Sequence, residues 1–204
     1  MLGEKREGLL VVLSAPSGCG KDTVLSKLSG VRRSVSMTTR AMRDGETDGV
    51  DYYFVSAAYF LKQLDEGKIL EHTSYNGKYY GTPKQAVDDW LRAGETVVLK
   101  IEVEGGGNIR RLYPDCVSIF LVPPSMQTLE HRLRKRCSET EEEIQSRLTI
   151  AENEMKHAAE YDYIVVNDSM ECAVEDIQAI IRSERLKTSR SKNMICEVIN
   201  NAQS

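Results

Sequence analysis

The chain has 204 residues, of which 41% are hydrophobic and 28% are charged, and its formal net charge is −4. These values are ordinary for a soluble globular protein with one sizeable core, and the negative charge argues against nonspecific binding to nucleic acid over the whole surface. The five cysteines show no disulfide or metal-ligand spacing, and no apolar run approaches membrane-spanning length. We therefore expect a cytoplasmic protein that binds neither nucleic acid nor a membrane.

The first predicted element is a strand over 9–13, which is followed by a loop rich in Gly, Pro and Ser and then by a helix. A loop of this kind at the start of a helix directs several backbone N–H groups toward a phosphate chain. Gly18 and Gly20 let the backbone approach the phosphates closely, and Lys21 can reach the β- and γ-phosphates. The pattern predicts a phosphate-binding loop (P-loop) made of Ala15, Pro16, Ser17, Gly18, Cys19, Gly20, Lys21, Asp22 and Thr23.

Two positions of the P-loop depart from the usual pattern. Ala15 stands in place of the first glycine, and Asp22 stands where Ser or Thr commonly follows the lysine. A glycine-rich turn without a ligand is the alternative interpretation. The order of strand, loop, lysine and helix favours the phosphate site, because the binding mechanism requires this order.

Residues from about 36 to 93 combine short β-branched runs with strong turn signals, which predicts a small β-rich insertion. The predicted elements are a strand over 34–40, a strand over 51–55, a helix capped by Ser56 that runs to Glu66, a hairpin of 69–75 and 78–81 around Asn76-Gly77, and a helix capped by Thr82 that Gly94 ends.

Four apolar runs are long enough to be core strands, and helical patterns separate them. The strands are predicted over 9–13, 96–101, 117–122 and 163–166, and the later helices around 108–112 and over 125–136, 140–160 and 171–185. This alternation predicts an α/β fold in which helices cover both faces of a parallel sheet.

Arginine side chains are the candidates for binding phosphate groups. Phosphoryl transfer needs aligned phosphates, neutralised charge and excluded water, and arginine grips phosphate oxygens with a planar fork. The candidates are Arg40, Arg43, Arg132, Arg136 and Arg147. From composition alone, a solvated surface with salt bridges explains each of them equally well, and for Arg134 and Lys135 the surface interpretation is the better one.

Several motifs resemble those of guanylate kinases. The segment SVSMTTRAMRDGETDGVDYYFV over 34–55 resembles the family's most specific signature, and GKYYGT over 77–82, PPS over 123–125 and YDYIVVND over 161–168 are similar to further family motifs. The motifs occur in the family's order, and the resemblance extends over about residues 9–187.

The resemblance implies a single nucleoside-monophosphate kinase domain over 1–204, with an α/β P-loop core whose parallel sheet is flanked by helices. It places the core at about 7–33, 94–124 and 161–187, a β-rich GMP-binding insertion at 34–93, a helical lid at 125–160 and a tail at 188–204. The implied reaction transfers the γ-phosphate of ATP to GMP, and to dGMP, with Mg²⁺. Whether such a protein is a monomer or a homodimer stays open.

The resemblance also assigns roles to individual residues. The residues expected to bind the acceptor phosphate are Ser36, Arg40, Arg43, Tyr52 and Tyr80, and those expected to bind the guanine base are Glu71, Thr82 and Glu102. The transferring phosphates are expected to contact Lys21, Arg43, Arg132, Arg136 and Arg147, and the adenine is expected to contact Asn167. The residue types suit the base, because guanine has donors at N1 and N2 and an acceptor at O6.

Lys100 and Asp22 differ from the family pattern. Lys100 stands where the family commonly has an acidic residue, and we expect it to extend into solvent at a strand end. Asp22 offers a charged oxygen that could bind Mg²⁺ where the family usually has a hydroxyl.

Two other functions are compatible with parts of the pattern. One is a non-catalytic guanylate-kinase-like module that binds a phosphorylated partner, and the other is a related kinase for a different small phosphate ester. The presence of Lys21 argues against the first, and the set of Glu71, Thr82 and Glu102 argues against the second.

Overall fold

The computed structural model describes residues 7–75, 77–135, 140–191 and 199. In chain order its elements are β1 (Leu9–Ser14), α1 (Lys21–Lys27), β2 (Arg32–Arg33), β3 (Met37–Thr38), β4 (Tyr53–Phe54), α2 (Ala57–Asp65), β5 (Ile69–Tyr75), β6 (Lys78–Pro83), α3 (Lys84–Arg92), β7 (Thr96–Lys100), α4 (Val103–Leu112), β8 (Val117–Val122), α5 (Met126–Arg134), α6 (Glu141–Met155), β9 (Tyr163–Val166) and α7 (Met170–Arg185). Two short 3₁₀ turns, Lys156–Glu160 and Thr188–Arg190, follow α6 and α7.

The main sheet is parallel, with the strand order β2-β7-β1-β8-β9, which confirms the predicted α/β class. Every residue of β1 is buried, because helices cover both faces of the sheet. Leu9, Val11 and Leu13 pack with α1, α5 and α7 on one face, whereas Leu10 and Val12 pack with α3 and α4 on the other.

The register of β1 and β7 brings two loops together. Leu13 pairs with Lys100, so the P-loop that follows β1 emerges beside residues 100–102 that follow β7. The carboxyl ends of adjacent parallel strands are a common place for ligand sites in α/β sheets.

The edge of the main sheet differs from the prediction. The edge strand β2 has only two residues, Arg32 and Arg33. Both are exposed, so the sequence carries no apolar pattern that would predict this strand. The strand predicted over 34–40 was too long, since only β3 forms within it.

A second sheet has the order β4-β3-β6-β5. The predicted hairpin is confirmed, because β5 and β6 are antiparallel and Tyr75 pairs with Lys78, although Asn76 lies outside the described residues. The prediction that Thr82 caps the next helix was wrong. Thr82 is fully buried within β6, and α3 begins only at Lys84.

The segment after β8 contains two helices. Thr140 and Glu143 form a capping box at the start of α6, within the helical pattern predicted over 140–160. Arg134 pairs with Glu130 at 2.8 Å and with Glu141, so the surface interpretation of Arg134 is confirmed. The helix predicted over 125–136 ends at Arg134, and Arg136 lies outside the described residues.

No helix in the described part of the chain is long and apolar enough to cross a membrane.

Candidate active site

The P-loop turns sharply between β1 and α1. Gly18 and Gly20 have φ values of 90° and 84°, in the left-handed region that residues with a Cβ rarely adopt. A Cβ at Gly20 would lie 2.8 Å from Asn167 Nδ2, and one at Gly18 would lie 2.8 Å from Leu133 Cδ2. Both the turn and its neighbours therefore require glycine at these positions.

Asn167 and Arg132 support the P-loop from the other side. Asn167 is buried, and its Nδ2 donates a hydrogen bond of 2.6 Å to the Cys19 carbonyl. Arg132 Nη2 donates to the Asn167 carbonyl at 2.9 Å, while Arg132 Nη1 is buried with no hydrogen-bond partner among the described residues. A buried guanidinium N–H without a partner is costly, and an anionic oxygen would satisfy it.

A cavity of about 370 Å³ adjoins these residues. It is lined by Gly18, Gly20, Thr23, Arg132, Lys135, Asn167, Asp168 and Met170. Three lining residues were not predicted as site residues from the sequence: Lys135 was assigned to the surface, Asp168 ends the motif over 161–168 without an assigned role, and Met170 lies outside the motifs. Arg132 therefore lines the same cavity as the glycines of the P-loop.

Two lysines connect the P-loop to the end of β7. Lys21 Nζ donates to the Ile101 carbonyl at 3.2 Å and to Glu102 Oε1 at 3.2 Å. Lys100 Nζ lies 2.5 Å from Asp22 Oδ1, and only 18% of the Lys100 side chain is exposed. The expectation that Lys100 extends into solvent was therefore wrong, because an acidic partner on the P-loop holds it at the site.

The predicted acceptor-phosphate residues meet around one aromatic ring. The Arg40 guanidinium lies 5.4 Å from the Tyr52 ring centroid, and Tyr80 contacts the same ring edge-on at 6.0 Å. Glu46 Oε1 and Oε2 hold Arg40 at 2.7 and 2.9 Å. Burial, together with the negative charges of Asp22 and Glu102, raises the pKa of Tyr52 to about 12. Tyr52 therefore remains a neutral hydroxyl at physiological pH.

Ser36 and Arg43 lie on the same chain segment as Arg40. The Ser36 carbonyl accepts a hydrogen bond from the Tyr53 N–H at 2.9 Å, which fixes the backbone beside Tyr52. The Arg43 side chain is exposed, and its backbone N–H donates to Glu46 Oε2 at 2.8 Å. Glu46 thus anchors both predicted phosphate-binding arginines of this segment.

The predicted base-binding pocket contains a buried carboxylate. Thr82 Oγ1 donates to Glu71 Oε1 at 2.7 Å, and Glu71 is only 7% exposed. Burial raises the pKa of Glu71, the Thr82 hydrogen bond opposes that rise, and the charges of Glu102 and Glu104 add to it. Gly105 in α4 leaves room for the carboxylate, since a Cβ there would lie 2.5 Å from Glu71 Oε2.

Glu102 differs from Glu71 in its surroundings. It is the N-cap residue of α4, its side chain is 58% exposed, and it accepts the hydrogen bond from Lys21. The structure therefore places one of the predicted base-binding residues in direct contact with the P-loop lysine.

Glu154 of α6 is a site residue that motif analysis missed. Its carboxylate accepts a hydrogen bond from the Ser17 backbone N–H, and its Oε2 is buried without a partner in the described part of the chain. Arg147 lies half-buried on the same helix, and Ala151 and Glu154 share its face by their i, i+4, i+7 spacing. That spacing, counted from Arg147, is the signal that could have identified Glu154.

The Glu154 carboxylate is expected to make stability depend on pH. Burial raises the pKa of Glu154 to about 7, Glu102 adds to the rise, and Lys21 opposes it. Between the ordinary value of 4.5 and about 7 the folded protein retains a proton that the unfolded chain has lost, so stability falls as pH rises through this window. Glu154→Gln should raise Tm at pH 8 and leave Tm nearly unchanged at pH 4.

Thermal melts at both pH values test this expectation. Glu152→Gln is the matched control, because Glu152 is exposed on the same helix. An equal rise in Tm for both variants, or a rise for Glu154→Gln that does not depend on pH, would contradict the assignment.

A divalent metal would find one suitable protein ligand beside the P-loop. Asp22 presents a carboxylate whose side chain is 78% exposed, next to Lys21. Among the described residues, no group of three or more His, Cys, Asp or Glu side chains could hold a metal ion. This arrangement fits Mg²⁺ in particular, which is often bound by one or two carboxylates together with substrate phosphates and water.

Comparisons with known proteins agree with the motifs. The family model described as "Guanylate kinase" matches residues 7–184. A curated guanylate kinase from Desulfitobacterium hafniense is 44% identical over 191 residues, which cover 92% of this chain and 96% of the relative. One from Alcanivorax borkumensis is 45% identical over 188 residues, which cover 90% of this chain and 91% of the relative.

A solved structure extends this agreement to the fold. The crystal structure of guanylate kinase from Anaplasma phagocytophilum has a TM-score of 0.76 and 36% sequence identity to this chain. The match covers 91% of this chain and 90% of the other.

Proposed function

The chain belongs to the guanylate kinase family and is by that membership an ATP:GMP phosphotransferase, and we propose how its residues divide the reaction between a donor and an acceptor site. The proposal rests on one observation, the contact of 3.2 Å between Lys21 on the P-loop and Glu102 beside the base pocket. This contact joins a phosphate-binding loop to a guanine-binding residue. A non-catalytic module that binds a phosphorylated partner would not need the two to meet.

The donor nucleotide ATP binds, in this proposal, at the P-loop residues 15–23. Backbone N–H groups of the loop and the Lys21 ammonium hold the β- and γ-phosphates, as their residue types allow. Arg132 directs its buried Nη1 to the phosphate chain, because that nitrogen has no partner in the described part of the chain. Asn167 holds the loop through Cys19, and its contact with adenine stays a prediction.

Mg²⁺ is the expected cofactor, with Asp22 as its ligand on the protein. When bound with ATP, the ion would neutralise charge on the phosphate oxygens. Asp22 supplies a carboxylate oxygen directly or through water, and the loop N–H groups and Lys21 orient the phosphate chain. Because the Asp22 side chain is 78% exposed, its carboxylate fits the role of a ligand to this ion.

The acceptor GMP binds between the two sheets in this proposal. Arg40, Tyr52 and Tyr80 hold its phosphate, since Arg40 and Tyr80 both contact the Tyr52 ring. Ser36 and Arg43, on the same chain segment as Arg40, are proposed to join them. Glu71, Thr82 and Glu102 face the guanine. A carboxylate accepts the N1 and N2 hydrogens of guanine, whereas adenine lacks the N2 amine and would leave the buried group unpaired.

Positioning and charge neutralisation account for catalysis here. The acceptor is already an anionic phosphate, so the reaction requires no tuned general base. Arg132 and Arg147, with Arg136 of the segment outside the described residues, would bring positive charge to the transferring group as α5 and α6 close over it. Closure would also exclude water that could hydrolyse ATP.

The same proposal covers the organisation of the chain. We infer a core over about 7–33, 94–124 and 161–187, a GMP-binding insertion over 34–93 and a lid over 125–160, with a tail from 188. The unpaired thiols of Cys19, Cys116 and Cys172 fit a reducing cytoplasm. ATP and GMP are the expected partners, with the chain as a monomer or a homodimer.

A coupled ADP-release assay tests the substrate assignment. In Mg·ATP, GMP and dGMP should support turnover, whereas AMP, UMP and ribose 5-phosphate should support at least about a hundredfold less. Preference for one of the other phosphate esters would identify a related kinase instead. Turnover with none of them would leave only the binding-module interpretation.

Gly105 is expected to control the position of Glu71. Gly105→Ala would place a Cβ 2.5 Å from Glu71 Oε2 and force the carboxylate to move, so KM for GMP should rise roughly 10- to 100-fold while KM for ATP stays unchanged. The measurement is steady-state kinetics with each nucleotide varied in turn.

Gly107→Ala is the matched control on the same helix, because the nearest atom to a Cβ there, among the described residues, would be Arg110 Nη2 at 3.9 Å. This variant should retain the wild-type KM for GMP and gain about 0.5–1 kcal/mol of stability from helix propensity. Equal kinetic effects of the two substitutions would show that Gly105 does not act through Glu71.

A further inference from the structure

Lys100 occupies a position between the donor and acceptor sites that the reaction described above does not use. It is the last residue of β7, and its Nζ lies 2.5 Å from Asp22 Oδ1 on the P-loop. The same nitrogen lies 5.1 Å from the centroid of the Tyr52 ring. Tyr52 belongs to the residues assigned to the acceptor phosphate, so one ammonium group touches both halves of the site.

The surroundings of Lys100 differ from those of a surface lysine. Only 18% of its side chain is exposed, whereas its partner Asp22 is 78% exposed. A pair with one strongly exposed member is screened by water and exchanges easily. Asp22 is therefore a carboxylate that solvent, or a ligand at the P-loop, can readily draw away from Lys100.

Positive charges at the junction are matched by carboxylates in this structure. The pairs are Lys21 with Glu102, Arg40 with Glu46, and Lys100 with Asp22. Glu102 belongs to the proposed acceptor site, and Glu46 lies on the same chain segment as its partner Arg40. Asp22, in contrast, belongs to the donor loop. Its pairing with Lys100 is therefore the one that occupation of the donor loop would change first.

We propose that Lys100 is a further residue that binds the acceptor phosphate. Its ion pair with Asp22 keeps it from that phosphate until Mg·ATP occupies the P-loop. The proposal rests on the function proposed above. Once Asp22 faces the metal and the phosphate chain, the Lys100 ammonium turns from the carboxylate to the acceptor phosphate beside Tyr52. Its consequence is a thermodynamic coupling in which the donor nucleotide raises the affinity for GMP.

Calorimetric titration with GMP tests the coupling without turnover. The titration is carried out with and without a saturating, non-hydrolysable ATP analogue and Mg²⁺. For the wild type, the analogue should lower the Kd of GMP by about tenfold. Lys100→Met should bind GMP weakly under both conditions, because the ammonium is gone. Asp22→Asn should bind GMP tightly under both conditions, because nothing holds Lys100 back.

The opposite behaviour of the two variants separates this proposal from a purely structural tether. A tether predicts that Lys100→Met and Asp22→Asn weaken GMP binding alike, and that result would overturn the proposal. A wild-type Kd for Lys100→Met would overturn it as well. If the wild type itself did not bind GMP, the proposed function would fail, which is a different result from either of these.

Three further variants serve as controls. Lys100→Arg retains the positive charge and should retain most of the coupling, whereas Lys100→Gln retains only a polar end and should lose it. Lys62→Met removes an ammonium from α2 whose side chain is 70% exposed and should leave both Kd values unchanged. If Lys100→Met melts below the assay temperature, Lys100→Gln and Asp22→Asn still decide the outcome.

Discussion

Replacing Lys21 by methionine is expected to lower kcat by about 10²- to 10³-fold, the usual effect of removing one donor that stabilises developing charge. Methionine retains the length of the side chain but removes its ammonium group. The Lys21 side chain is only 10% exposed and lies at the junction of the P-loop and the base pocket. The affinity for GMP should change little, because the acceptor's own arginines and carboxylates remain. The measurement is steady-state kinetics, with GMP affinity determined separately by titration.

Lys27→Met is the matched control for this prediction. Lys27 lies on the same helix, α1, and is exposed at its end, so its replacement should leave kcat unchanged. A Lys21→Met variant with wild-type kcat would remove the P-loop assignment. A loss of GMP affinity as large as the loss of kcat would show that Lys21 mainly supports Glu102.

Glu71→Gln is expected to lower kcat/KM for GMP by about 10- to 100-fold, which corresponds to the 1–3 kcal/mol of a good contact to a base edge. The neutral amide replaces one acceptor oxygen with a donor, which then opposes a guanine N–H. KM for ATP should not change, because Glu71 is buried in the second sheet with Thr82 as its partner. Kinetics with each nucleotide varied in turn measure both effects.

The same variant should alter the pH dependence of GMP binding. Burial raises the pKa of Glu71, so acidification should protonate the wild-type carboxylate and weaken GMP binding at a higher pH than for an exposed glutamate. Glu71→Gln should lack this dependence. Glu66→Gln, at the end of α2, is the control and should resemble the wild type. An equal loss of affinity for ATP and GMP in Glu71→Gln would contradict its place at the base.

The core strands could be predicted from the sequence because each is a continuous apolar run that the parallel sheet buries. β1 is the clearest example, with all six residues buried. The hairpin of β5 and β6 followed from its turn residues. β2 could not be predicted, because its two exposed arginines pair with β7 through the backbone, and backbone pairing leaves no mark in composition.

The misplaced residues have tertiary causes. Thr82 has the local chemistry of a helix cap, but its hydroxyl is used by Glu71, eleven positions earlier in the chain. Lys100 resembled a solvated strand end until Asp22, 78 positions away, became its neighbour. The role of Gly105 could not be predicted either, because this helical glycine acts by leaving space for the Glu71 carboxylate. None of these relations exists within a single sequence window.

The central claim is that the P-loop and the guanine pocket form one reaction centre joined at Lys21 and Glu102. The most direct measurement uses ATP with a labelled γ-phosphate and follows the label through a single turnover in the presence of GMP. The label should appear in GDP, with little in inorganic phosphate, because closure excludes water from the transfer. Label released mainly as inorganic phosphate, or tight GMP binding without any transfer, would contradict the claim.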